Sequence, residues 1–482
     1  MKISNLNLIE MARMEVLLPM VTYSFTDIGS DSLYHHLYQC IRSDIICGKL
    51  ASGEKLPSKR SFAKNLGVSN ITVENAYAQL IAEGYIFSIP KKGYYVREIS
   101  GMIPSAGVNM EIMPQQDISE KPCIVDFVSN RIHPQQFPFS IWAKLLRETL
   151  LNYHKELLEA PPCGGVPQLR HAISGHLKAF RNMDVSEEQI IIGAGTEYLY
   201  GLLIQLLGRD KVYAVENPGY HKIAQIYESN GVECCFIPVG KTGMDVGQLE
   251  KSACHVAHIS PSHHFPTGIV TPVGARYELL GWATREDGRY IIEDDYDSEF
   301  RLVGKPIPTL QSIDRSERVI YMNTFTKTLA STIRISYMVL PGHLLKEFQK
   351  RLSFYSCTVS NFEQYTLAKF IEDGYFEKHI NRMRTYYRRI RDELVTAIRK
   401  SPLASCCEIA EEDAGLHFLL RIDTELSEEE ILRRADSAGI RLSALAQYYC
   451  NAAENAPMHT FIVNYSGLAG EEVANVVKVL AK

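Results

Sequence analysis

Three short segments carry side chains whose types and order suit one kind of chemistry. RYIIEDDYDSEF ends on Asp294, Asp295, Tyr296 and Asp297, a pile of carboxylates that is costly unless a cation or a protonated ring pairs with one of them. RVIYMNTFTK ends on Thr324, Thr326 and Lys327, and Arg334 follows seven residues later. IIIGAGTEYLY passes through Gly193 and Gly195 into Thr196 and Glu197, where free backbone N–H groups at a helix start form an anion site. A lysine and an arginine beside such a site suit an aldehyde cofactor bearing a phosphate. The lysine condenses with the aldehyde, an acid holds a ring nitrogen protonated so that the ring draws electrons, and a phosphate cup anchors the other end.

Taken singly, each segment has a plainer explanation. A strand–Gly–helix turn is most often only a turn, and an acidic run is as readily a solvated loop. Their order along the chain argues for the combination. From Cys123 onward, apolar runs such as KVYAVENPG, CCFIPV, HVAHISPSHH and ISYMVLP alternate with helical stretches such as TEYLYGLLIQLL and ARYELLGWATREDG. Such alternation predicts a mostly parallel sheet covered by helices on both faces, with ligands at the carboxyl ends of its strands. The three segments sit at those ends.

The region from 31 to 97 has a different texture. Leu33, Leu37, Ile41 and Ile45 recur at helical spacing and Gly48 follows as a stop. Ser58 precedes a short second helix, KRSFAKNLG, and Ser69 precedes a third, NITVENAYAQLIAEG. Two short helices joined by a tight glycine turn are a helix-turn-helix. YIFSIPKKGYYV then alternates about Pro90-Lys91-Lys92-Gly93, a hairpin with a basic tip, which makes the module a winged one. Nine basic residues face five acidic ones between Asp31 and Arg97, so this stretch is +4 and the remainder –9, against a total of –5. A basic piece on an acidic body suggests an anion-binding module. For double-stranded DNA the expected base-reading residues are Ser69, Asn70 and Thr72 at the start of the third helix. Ser58, Lys59, Arg60, Lys91 and Lys92 are placed to hold phosphate, and Tyr77 and Gly93 complete the expected set.

The chain has 482 residues, which at roughly 150 per domain predicts about three domains. With 46% hydrophobic and 22% charged residues, collagen, coiled coil and bulk disorder are excluded. The overall charge argues against coating nucleic acid or membrane through net charge alone. Eleven cysteines lack any CxxC or Cys/His spacing, so neither a metal site nor a disulfide scaffold is expected. No apolar run reaches the ~20 residues of a membrane span, and Glu10, Arg13 and Glu15 interrupt the N-terminal apolar stretch. A cytoplasmic location is expected. Residues 1–30 form an N-terminal extension without a clear pattern, and 98–122, rich in Gly, Pro, Ser and Gln, are expected to be a flexible linker.

The segment LPSKRSFAKNLGVSNITVENAYAQLIAEGYIFSIPKKGYYV resembles the DNA-binding domain of the GntR family of bacterial regulators, with Asn70 where that family usually carries arginine. NTFTKTLASTIRISYMVLP, CGGVPQLRHAISGHL, SPSHHFPTGIVTP and AGLHFLL resemble the fold type I aminotransferases across nearly all of 123–482. Joined, the two halves resemble the MocR/GabR regulators. The resemblance implies a multidomain protein. A winged helix-turn-helix (α+β) precedes an α/β fold type I aminotransferase-like domain, with a smaller C-terminal α+β subdomain from about residue 345. It implies pyridoxal 5'-phosphate as cofactor, Lys327 as the Schiff-base residue, Asp294 at the pyridine nitrogen, Tyr296 at the ring 3-hydroxyl and Tyr220 stacked on the ring. Gly195, Thr196, Glu197, Thr324, Thr326 and Arg334 would form the phosphate end. It further implies operator DNA as partner and a head-to-tail homodimer.

Aminotransferases hold a substrate carboxylate with a C-terminal arginine, because a guanidinium–carboxylate fork fixes both charge and orientation. That place falls on Thr460 here. GabR-like members also have arginine two residues after the stacking tyrosine, where this chain has Lys222, a charge without a fork. The weakened clamp leaves three expectations: a regulator that senses pyridoxal phosphate itself, a regulator that senses an amino acid or amine, and an active aminotransferase with an accessory DNA domain. Catalytic turnover is at most weak or vestigial in the first two.

Overall fold

The computed structural model describes residues 22–23, 25, 32–98, 123–129, 132–302, 304, 307–413, 415–450 and 456–480. They fall in two compact units, one within 1–118 and one within 119–482. Most of the expected extension (1–30) and linker (98–122) lie outside the described residues.

The first unit holds the helices Leu33–Ile46, Lys59–Leu66 and Asn70–Ala82 and a three-stranded antiparallel sheet. The apolar positions read at helical spacing close the core: Leu37, Ile41 and Ile45 meet Phe62, Val73 and Leu80. Gly67, at φ +68°, ends the second helix in the left-handed region and lets the chain turn into the third within two residues. Strand Gly93–Val96 pairs with Ile86–Ile89 as the wing and with Lys55–Leu56 on its other side. From the nominal extension, Tyr23 and Phe25 pack on this core, and Tyr23 Oη donates to Asp44 at 2.9 Å.

The second unit is built on a mixed sheet. Its order is Ile190–Gly193, Ser336–Val339, Val319–Thr324, Tyr290–Asp294, Val256–Ile259, Val212–Asn217, Glu233–Gly240, Gly243–Met244. The neighbours from Val319–Thr324 to Glu233–Gly240 are parallel, while Ser336–Val339 runs antiparallel to both of its partners. The central strands are buried at every position, as continuous apolar runs covered on both faces must be. Gly193, Asn217, Ile259, Asp294 and Thr324 thus end their strands at one edge of the sheet.

A second, antiparallel sheet orders Cys407–Ala410, His417–Ile422, Thr460–Asn464 and Ser443–Ala444. The 26-residue helix Tyr375–Lys400 covers it with Met383, Tyr387, Ile390, Leu394 and Ile398, a stripe at three- and four-residue spacing.

The subdomain boundary differs from the expected residue 345. Helix Gly342–Leu352 buries Leu344, Phe348 and Leu352 against strands of the large sheet, and Asn361–Glu372 buries Leu367, Ala368 and Phe370 in the large core. Both therefore belong to the large subdomain, as do Phe376 and Ile380, and the change comes inside helix Tyr375–Lys400, between Ile380 and Met383. The small one also recruits the start of the unit: Val125–Asp126 pairs in parallel with Ile440–Arg441, and Val125 and Phe127 enter its core.

Candidate cofactor cavity and DNA-reading surface

At the carboxyl edge of the large sheet lies a cavity of about 240 Å³. Ten sequence-predicted positions converge on it. Thr196, Glu197, Tyr220, Lys222, Asp294, Tyr296, Thr324, Thr326, Lys327 and Arg334 all line it, though they span almost 140 residues of chain. Gly195 caps the helix Thr196–Leu207 at φ +93° directly before Thr196.

Lys327 sits in the loop after strand Val319–Thr324. Burial pushes its amine down to about 8, because the charged form loses hydration, and the nearby Asp297 and Asp294 only partly offset this. A depressed lysine is the form that attacks carbonyl carbon. Across the cavity Asp294 ends strand Tyr290–Asp294. Its Oδ2 accepts from Tyr200 Oη at 2.7 Å and lies 3.5 Å from His258 Nε2, while its buried Oδ1 has no partner. A largely buried carboxylate lining a cavity, with an oxygen that no protein donor satisfies, suits a protonated ring nitrogen.

Tyr296 is half-buried, with its hydroxyl 3.3 Å from His263 Nδ1, and His263 in turn lies 2.7 Å from Asp297. Half-exposed Tyr220 stands on the wall beside Phe265, ring centroids 6.0 Å apart. At the other end, Thr324 Oγ1 accepts from Ser336 Oγ at 2.8 Å and donates to Thr326 Oγ1 at 2.9 Å, so it fixes the loop that carries Thr326 and Lys327. Thr324 is thus committed to the loop. Arg334 and Lys222 both reach Glu197, Arg334 at 3.0 Å. One acid at the helix start thus pairs with both cations, a compensation that residue order does not display. Thr460, buried on the small sheet, does not line the cavity.

Several members of the site escaped the sequence. Tyr200 and His258 buttress Asp294, and Tyr227 Oη meets His258 Nδ1 at 2.7 Å. Glu216 also lines the cavity. Burial raises its carboxyl to about 8, so it is largely neutral near pH 7, and Oε2 accepts the Ser260 N–H at 3.0 Å. The one available signal was polar residues inside strands otherwise wholly apolar, as in VAHI and VYAVEN.

On the first unit, Ser58 and Ser69 serve as helix caps. Ser58 Oγ accepts the Ser61 N–H at 3.2 Å and Ser69 Oγ the Thr72 N–H at 3.1 Å, with the Ser69 and Thr72 hydroxyls 2.8 Å apart. Asn70, Arg60, Lys91 and Lys92 are exposed. Lys59 pairs with Glu74 at 2.6 Å. Tyr77 must be corrected: it is 0% exposed, its hydroxyl donates to the Pro57 carbonyl at 3.0 Å and its ring packs on Tyr94 and Phe62. Its helical position puts it on the inner face with Val73 and Leu80, so it is a core residue and not a DNA contact.

Comparison with known proteins agrees with this division. Residues 33–96 match the model of "Bacterial regulatory proteins, gntR family" and residues 125–479 that of "Aminotransferase class I and II". The chain is 35% identical to the Bacillus subtilis HTH-type transcriptional regulator YdeL over 93% of its own length and 96% of the relative's. It is 31% identical to the probable rhizopine catabolism regulatory protein MocR of Rhizobium meliloti, over 90% of each. With the pyridoxine biosynthesis transcriptional regulator PdxR of Corynebacterium glutamicum it shares 27% identity, over 87% of this chain and 89% of that one. The multiple substrate aminotransferase of Thermococcus profundus superposes with a TM-score of 0.66 at 24% identity, over 75% of this chain and 91% of that structure.

This fold binds pyridoxal phosphate, and the cavity fits it: a depressed lysine, an acid with an unpaired oxygen, and a helix start flanked by Arg334 and two threonines. The chain belongs to the MocR/GabR subfamily of GntR-type transcription regulators, in which a winged helix-turn-helix precedes an aminotransferase class I and II domain.

Proposed function

We propose that this regulator reports on pyridoxal phosphate, or on an amine captured by it, through the cavity of the second unit. The observation that carries the proposal is that Lys327, its amine lowered to about 8, and the carboxylate of Asp294 line one cavity. Lys327 would hold the aldehyde carbon, Asp294 the ring nitrogen, Tyr296 the ring hydroxyl and Tyr220 the ring face. Gly195, Thr196, Thr326 and Arg334 would hold the phosphate, with Thr324 positioning the loop. When bound, the cofactor supplies a carbonyl that condenses with amines and a ring that accepts electron density.

Among the described residues, the cations lining the cavity besides Lys327 are Lys222 and Arg334, and both face Glu197. A carboxylate ligand would have to compete with Glu197 for Lys222. This favours the cofactor itself as signal, in keeping with the pyridoxine biosynthesis regulator among the relatives. The protein acts in the cytoplasm as a head-to-tail homodimer, and ligand occupancy shifts an equilibrium that resets the spacing of the two DNA-binding units. The ligand must bind the two states unequally for this to occur.

One titration tests the proposal. Protein is challenged with pyridoxal phosphate and with a panel of amino acids and amines, following visible absorbance and binding to a selected operator duplex together. A change in DNA binding with pyridoxal phosphate alone is expected. A change only with an amino acid or amine would transfer the signal to that ligand, and efficient release of a keto acid would establish an enzyme instead.

A pH dependence follows from Lys327. With an amine at about 8, the reactive neutral fraction rises from about a tenth at pH 7 to about nine tenths at pH 9. The rate of cofactor uptake by apo-protein, read by stopped-flow absorbance, should therefore rise about tenfold over that range and level off. An ordinary lysine would keep accelerating past pH 10.

A further inference from the structure

On the outer face of helix Asn70–Ala82 stand Asn70, Ile71, Glu74 and Asn75, and that face carries no lysine or arginine. Its most prominent apolar group is Ile71, 67% exposed in the first turn, while every other large apolar side chain of the first two turns is buried. A β-branched residue there gains nothing from water and is a poorer helix former than alanine. Its neighbours are already engaged: the Ser69 hydroxyl caps the helix and bonds to the Thr72 hydroxyl, and Glu74 is tied to Lys59. The same unit exposes the cations Arg60 and Lys64 on the preceding helix and Lys91 and Lys92 at the wing, side chains suited to phosphates.

We propose that Ile71 is a specificity-determining residue that reads the 5-methyl group of a thymine in the major groove. The thymine methyl is the apolar feature of that groove, and aliphatic side chains recognise it by contact. Asn70 beside it has the paired donor and acceptor that match adenine N6 and N7. The surface therefore selects an A·T-containing half-site and lacks the arginine that would read guanine.

The test needs no prior operator. Full-length protein selects duplexes from a random pool, and each thymine of the best duplex is then replaced singly by deoxyuridine, which removes only the methyl. One position in each half-site should lose about fourfold in affinity, the effect of one buried methyl-sized group. In Ile71→Ala that penalty should vanish, while binding to the all-thymine duplex falls by a similar factor. The substitution is on an exposed helical site, so circular dichroism should be unchanged and the melting temperature equal or slightly higher. Uracil substitution without effect anywhere, or a uracil penalty that persists in Ile71→Ala, would overturn the proposal. A Lys91→Ala/Lys92→Ala variant separates this from general DNA binding: it should weaken all duplexes equally and lower the salt slope by about two.

Discussion

Lys327→Ala is expected to abolish the visible absorption that pyridoxal phosphate acquires on covalent attachment to the protein, and with it the response of DNA binding to ligand. The effect should be complete, since Lys327 is the only lysine besides Lys222 among the described residues lining the cavity, and Lys222 is paired with Glu197. DNA binding by the first unit should remain measurable, because Lys327 lies in the other compact unit. Removing a desolvated amine from beside Asp294 and Asp297 also removes a partial counter-charge to both. A modest change in melting temperature is expected alongside the spectral loss. A spectrum unaltered by the substitution would remove Lys327 from the site.

Gly195→Ala should be the most damaging single-carbon change. At φ +93° and ψ 161° the backbone lies in a region open essentially to glycine, and an L-residue there costs about 1–3 kcal/mol. A Cβ at this position would also lie 2.9 Å from Arg334 Cζ and closer still to its terminal nitrogen. The guanidinium must move off, which takes a charged donor away from the phosphate end. Loss of one such hydrogen bond is worth about 1.5–3 kcal/mol, or about ten- to a hundredfold in cofactor affinity. Equilibrium titration of apo-protein with pyridoxal phosphate measures it. Gly201→Ala is the control: it lies within the same helix with nothing in reach of a new Cβ, and should leave affinity unchanged and stability equal or slightly higher. Equal cofactor affinity in both variants would show that Gly195 does not shape the site.

The two variants probe different levels of legibility. Lys327 was visible in the chain because a strand ending in hydroxyls, a lysine and a later arginine forms a local pattern. The winged module was visible for the same reason: caps, glycine stops and apolar spacing act over a few residues at a time. Tyr77 shows where such patterns mislead. An aromatic on a recognition helix looks available, yet its angular position puts it beside Val73 and Leu80, and the core claims it.

Local patterning thus carried the element order, the mostly parallel sheet, the two units and the place of Lys327 after a strand's carboxyl end, because hydrophobic period and turn chemistry are short-range properties. Folding in three dimensions settled the rest. It joined Val125–Asp126 to a strand more than 300 residues away, moved the subdomain boundary into helix Tyr375–Lys400, set Tyr200 and His258 behind Asp294, and turned Glu197 toward Lys222 and Arg334. Each of these is a matter of distance between groups far apart in the chain. Burial and Coulomb energies depend on that distance and not on sequence separation.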